Sequence, residues 1–158
     1  MVRRLIVQAW GFLRELCRTL PVGLTDRNAD HAPACRHVEV VALGLNERSK
    51  LHNTPPRAKV KNFKPRREAS RWELSTFCMD SLGDDTRWAV LDRNSNKAPI
   101  PARSELHRSA ILDEGLTLDP NWAPEYHVDV VEWPEEESEQ TSVAQALYAA
   151  QNCIVRPA

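Results

Sequence analysis

Eight Lys and Arg side chains crowd into the twenty residues from Arg48 to Arg67: Arg48, Lys50, Arg57, Lys59, Lys61, Lys64, Arg66 and Arg67. Such a run can neutralise successive phosphates along a nucleic-acid backbone, and Phe63 within it is a residue type that stacks on an unpaired base. The same charges suit an acidic protein partner, or serve as a solvated tether. A second group, Arg103, Glu105, His107, Tyr126 and His127, brings guanidinium, imidazole, carboxylate and phenol chemistry to elements adjacent in sequence that can share a cleft. His31, Cys35 and His37 offer nitrogen and thiolate ligands of the kind zinc takes. Their spacing matches no common zinc motif and no fourth ligand stands nearby, so no metal is expected. No serine or cysteine occupies a G-x-S-x-G elbow, so no nucleophilic triad is expected either, and no glycine-rich phosphate loop is present.

The charges are sorted by half. Residues 1–71 hold 15 Lys/Arg against 6 Asp/Glu, whereas residues 72–158 hold 6 against 16. The overall −1 is thus a cancellation between a basic and an acidic pole. Either the chain closes on itself, with the acidic stretch Glu132 to Glu139 covering the basic run, or each pole meets its own partner. Four scattered cysteines without a C-x-x-C pair read as reduced thiols. No apolar run reaches the ~20 residues that span a bilayer. Leu5 to Leu13 imitates a secretory signal, but Gln8 interrupts it and Arg14, Glu15 and Arg18 follow without a cleavage site. The expected location is therefore cytoplasmic.

The elements that must position these groups follow from periodicity and punctuation. Leu5, Ala9, Phe12, Leu13, Leu16 and Leu20 share one face at helical spacing, opposite Arg3, Arg4, Arg14 and Arg18, which predicts an amphipathic helix over residues 1–24 stopped by Pro21 and Gly23. That helix either docks on the core or lies on an anionic surface. Residues 25–70 read as a basic, Pro-rich linker with one short strand at His37 to Leu43, closed by Gly44. Residues 71–158 read as a compact domain. Its expected elements are a strand at Trp72 to Phe77, a short helix from about Leu82 to Asp92, and a helix from Ser104 to Glu114 ended by Gly115. A brief strand at Leu116 to Leu118, a strand at Tyr126 to Glu132, a helix opening near Pro134 and a final strand at Asn152 to Val155 complete it. The fold class is α+β, a small mixed sheet with two or three helices. Trp72, Trp88, Trp122 and Trp133 are expected to line the core, with Trp133 at its rim.

Two resemblances attach to these residues. The segments WELSTF, ARSEL, ILDEGL and HVDVVEWP resemble those of a family of small, functionally uncharacterised bacterial proteins, over about the last ninety residues. That family carries an aromatic-Gly-Arg-Ala-Asp stretch where this chain has Pro101, Ala102, Arg103, Ser104 and Glu105. A helix ending at Gly115-Leu116 before a strand opening at His127-Val128 also resembles the middle of ADP-ribosyltransferase folds. This second resemblance implies NAD as cofactor, with Arg103 or His127 gripping it, Tyr126 stacking on nicotinamide and Glu132 as the carboxylate. The leading expectation remains a small intracellular binding protein whose basic arm engages nucleic acid or an acidic protein. The NAD-using enzyme is the alternative.

Overall fold

The computed structural model describes residues 38–47, 51–53 and 55–157. The expected N-terminal helix, His31, Cys35 and His37, and the basic residues Arg48 and Lys50 lie outside the described residues. Nine strands and three helices follow in order: β1 (Val40–Leu45), β2 (Leu51–Asn53), β3 (Pro56–Ala58), a 3-10 turn (Val60–Phe63), β4 (Arg66–Glu68), β5 (Arg71–Cys78), α1 (Asp84–Arg93), β6 (Ala102–His107), α2 (Arg108–Asp113), β7 (Thr117–Pro120), β8 (His127–Val131), α3 (Glu137–Ala150) and β9 (Asn152–Val155). Seven strands form one sheet in the order β7-β8-β5-β1-β6-β9, with β4 on β5, while β2 and β3 pair apart as a hairpin. Every ladder is antiparallel, so the α+β class holds but the sheet is not mixed.

β1 is the centre of the sheet. Its alternation sends Val41, Leu43 and Leu45 to one face, beside Leu106, Ser104 and Ala102 of β6. That face holds the larger core, with Phe63, Leu74, Val128, Val130, Ala144 and Leu147, roofed by α2, α3 and the 3-10 turn. The opposite face carries a smaller core of Ala42, Met79, Trp88, Val90, Leu91 and Ile100 under α1. Gly44, expected to end the strand, lies within it: a Cβ there would stand 2.6 Å from Ile100 Cδ1, so any larger residue would have to displace that buried side chain.

Residues 102–107 correct the expected helix from Ser104. They form a strand, because Ala102, Ser104 and Leu106 face the large core while Arg103 and Glu105 point under α1, buried and paired there. The helix begins only at Arg108. Its end is as the sequence implied: Gly115 has φ 77°, Leu116 N–H donates to Ile111 O (3.2 Å) and Gly115 N–H to Leu112 O (2.9 Å), a Schellman closure with Leu116 and Ile111 both buried.

The stretch expected to be a linker is structured where it is described. Ala58 and Phe63 are fully buried. One side chain does much of the anchoring. Gln151, between α3 and β9, accepts the Ala58 N–H through Oε1 (2.7 Å) and donates from Nε2 to Ala58 O (3.2 Å) and Tyr148 O (2.9 Å). Its amide thus replaces a strand neighbour for β3, satisfying backbone groups that burial would otherwise leave costly.

Candidate functional site

The basic residues that the structure describes stand on folded elements beside α3. At one end Arg57 lies over the Tyr148 ring at 5.3 Å, with His52 edge-on to the same ring. At the other, Lys64 faces Glu137 at 3.7 Å and Arg67 lies over Trp72 at 5.6 Å. Eleven residues of helix separate Tyr148 from Glu137, about 16 Å at 1.5 Å per residue. Lys59 and Lys61 come from the intervening turn, while Arg66, opposite Glu73 and next to Arg67 in β4, points to the other face of the sheet. Phe63 departs from its expected role: it is fully buried in the large core and cannot stack on a base. The partly buried aromatic rings of Tyr148 and Trp72 occupy the basic face instead.

Among the described residues, self-closure is confined to one end. The acidic segment reaches this face through Glu137 to Lys64 and through Glu135, which accepts the Trp72 indole N–H at 3.2 Å. Both members of the Lys64–Glu137 pair are solvent-exposed, and such pairs contribute little. Among the described residues Arg57, Lys59, Lys61, Arg66 and Arg67 make no ion pair.

The four residues implicated in NAD binding do not converge. Arg103 is 2% exposed on β6, its guanidinium 4.4 Å from the Trp88 ring and bonded to Glu105 and Asp84. The Arg103 hydrogen bond holds the Asp84 carboxyl below its ordinary range. His127 lies on β8, three strand spacings away across β1 and β5, about 14 Å. Glu132 sits past the far end of β8, accepting the Thr117 hydroxyl. Tyr126 precedes His127 and packs at the margin of both cores. Arg103 is a packing residue, its charge matched by two carboxylates and an indole face. Glu105 shares it, accepting Arg87 as well (3.0 Å), while His107 is exposed at the end of β6.

His127 has partners that sequence reading missed. The register places Ser75 opposite Asp129 and Phe77 opposite His127, all on the face that α1 leaves to polar groups. Ser75 Oγ meets His127 Nε2, and His127 Nδ1 lies 2.8 Å from Asn121 Oδ1. Asn121 Nδ2 donates to Asp129 Oδ2 at 2.7 Å, and Ala123 N–H donates to Asn121 Oδ1 at 3.1 Å. These two bonds fix which way the Asn121 amide points. Its Oδ1 can only accept, so Nδ1 carries a proton, and in the neutral imidazole Nε2 then offers its lone pair to the Ser75 hydroxyl. Asp129 Oδ1 is buried without a hydrogen bond, 3.5 Å from His127 Nε2. Burial pushes the Asp129 carboxyl above its ordinary range. Arg71, 3.5 Å from Asp129, also bonds Asp119 (2.7 Å) and Glu73 (3.0 Å).

The loop from Asn121 to His127 is held in an uncommon shape. Trp122 (φ 55°) and Tyr126 (φ 68°) are both left-handed, conformations costing of order 1–3 kcal/mol each. The loop closes on itself through Trp122 N–H to His127 O (3.2 Å) and His127 N–H to Pro124 O (2.9 Å), and is tied to β5 by Cys78 N–H to Tyr126 O (2.8 Å). No local motif marks these residues, since Ser75 is 46 positions from Asn121 and 52 from His127. Among the described residues no group of three His, Cys, Asp or Glu side chains is arranged to hold a metal, and no helix is long and apolar enough to cross a membrane. Comparison with protein-family models, with curated proteins and with solved structures gives no match to this chain.

Proposed function

We propose that this chain binds nucleic acid through the basic face alongside α3. The reading rests on Arg57, Lys59, Lys61 and Arg67, which stand along β3, the 3-10 turn and β4 and form no ion pair among the described residues. Arg57 and Arg67 each lie over an aromatic ring, an arrangement that presents a cation and a stacking surface together. Pre-positioned cations lose less side-chain entropy on meeting phosphates than those of a free tether would. Four phosphate contacts imply a slope of log affinity against log salt of about −3.6 for duplex and about −2.8 for single strands. Affinity then falls about 150-fold or about 50-fold between 50 and 200 mM salt.

The test is fluorescence polarisation of labelled single-stranded and duplex oligonucleotides with the full chain across that salt range. The triple variant Lys59→Gln, Lys61→Gln, Arg67→Gln should weaken binding on every sequence and flatten the slope by about two to three units. Binding indifferent to salt, or unaltered in the triple variant, overturns the proposal. Capture of poly-glutamate without capture of any oligonucleotide would assign the face to an acidic protein instead.

A further inference from the structure

Independently of the basic face, we propose that Ser75 is the nucleophile of an acyl-transfer site, with His127 as its general base and Asn121 as the residue that positions the imidazole. Three observations join here. Ser75 Oγ is in contact with His127 Nε2, and in the neutral ring with its proton on Nδ1 the hydroxyl donates to the lone pair that would receive its proton. Asn121 Oδ1 at 2.8 Å from Nδ1 fixes the tautomer that makes Nε2 the base, and Asn121 is itself locked by Asp129 and by the Ala123 N–H. The loop carrying Asn121 and His127 is closed by its own backbone bonds and pinned to β5, the strand that carries Ser75. The geometry is therefore held before any substrate arrives. Ser75 is half-buried rather than enclosed.

The chemistry balances within these groups. Ser75 Oγ bonds to the carbonyl carbon of a carboxylic ester as its proton passes to His127 Nε2. The ester C–O bond breaks, and the departing alkoxide takes that proton from the imidazolium to leave as the alcohol. A water then gives a proton to Nε2 and attacks the acyl carbon, and Ser75 leaves with the proton returned. Asp129 Oδ1, unpartnered 3.5 Å from Nε2, faces the charge that the imidazolium carries between the two transfers. The surrounding side chains also select the substrate. Glu73, Asp119 and Asp129 outnumber Arg71 and Arg66, which stands opposite Glu73, so the field of this face favours a neutral or cationic ester over an anionic one.

The test uses the full chain and a neutral alkyl fluorophosphonate, which phosphorylates an activated serine with loss of fluoride. Intact mass followed by peptide mapping should find one adduct per chain, on Ser75, and none on Ser75→Ala. Asn121→Leu, which keeps both reacting groups but frees the imidazole, should label at least tenfold more slowly. Labelling in urea separates activation from folding: the adduct must vanish when the wild-type chain is unfolded. No adduct on the folded wild type, an adduct on another residue, or Ser75 labelling that proceeds equally in urea each overturns the proposal.

Discussion

Replacing Phe63 by alanine separates a core residue from a base-stacking one. In the structure this ring has no solvent exposure and belongs to the large core, where the Val60–Phe63 turn packs on α3. Truncation removes the whole ring from a packed site. Phe→Ala changes of this kind cost about 3–5 kcal/mol, since lost transfer energy and the residual cavity add. That is a large part of the roughly 5–15 kcal/mol that holds a domain together. At about 2–4 °C per kcal/mol for a chain of this length, the melting temperature should fall by about 6–20 °C. Circular dichroism melts measure it, with Lys61→Ala as the control. Lys61 is exposed on the same turn, and its replacement should change stability by no more than about 0.5 kcal/mol. An unchanged Phe63→Ala melt together with weakened oligonucleotide binding would refute the reasoning, because only a free ring behaves that way.

Other consequences are open to measurement. Gly44→Ala should destabilise by about 1–3 kcal/mol through overpacking against Ile100, and Ile100→Val, which removes the clashing Cδ1, should recover part of it in a double-mutant cycle; additive effects would deny the contact. Burial raises the Asp129 carboxyl, so the folded chain holds that proton more tightly than the unfolded chain does. This contribution favours folding below the ordinary carboxylate pKa of about 3.9 and is lost as pH rises through the raised folded value. Urea midpoints of Asp129→Asn should therefore gain on wild type as pH climbs through that interval, and a pH-independent difference would contradict the assignment. Burial also pushes the Cys153 thiol up. Its alkylation by iodoacetamide at pH 8 should be slower than that of a cysteine peptide, and equal rates would place the thiol in water.

What the sequence disclosed depended on whether the cause was local. β5, α1, β8 and β9 were legible from alternation or capping residues, and the Gly115 closure from the one residue that tolerates its φ without cost. β6 was not, because Arg103 and Glu105 read as the solvent side of a helix when they are buried against Trp88, Asp84 and Arg87. A charged residue announces water unless its partners are known, and these lie up to 19 positions away. The residues between β1 and β5 read as a tether for a similar reason. Their short strands are anchored by Gln151, 93 positions from Ala58, so no window of sequence contains the cause. The basic face was legible as composition, but its aromatic members Tyr148 and Trp72 were not, since stacking on Arg57 and Arg67 is tertiary. Ser75, Asn121 and Asp129 were invisible alone. Only the β5–β8 register makes them neighbours.

The central position of β1 also sets a clock. It is the first described strand to leave the ribosome, yet its longer ladder is with β6, which follows roughly 60 residues later. At about 5–20 residues per second, a nascent chain therefore carries the apolar segment Val40–Leu45 for about 3–12 seconds before β6 exists to cover that edge. β5 arrives sooner but meets β1 only at Val41 and Ala42, leaving most of its backbone groups unpaired through that interval. During synthesis the middle of this sheet is thus an edge, and through that interval it is open to pairing with a copy of the chain.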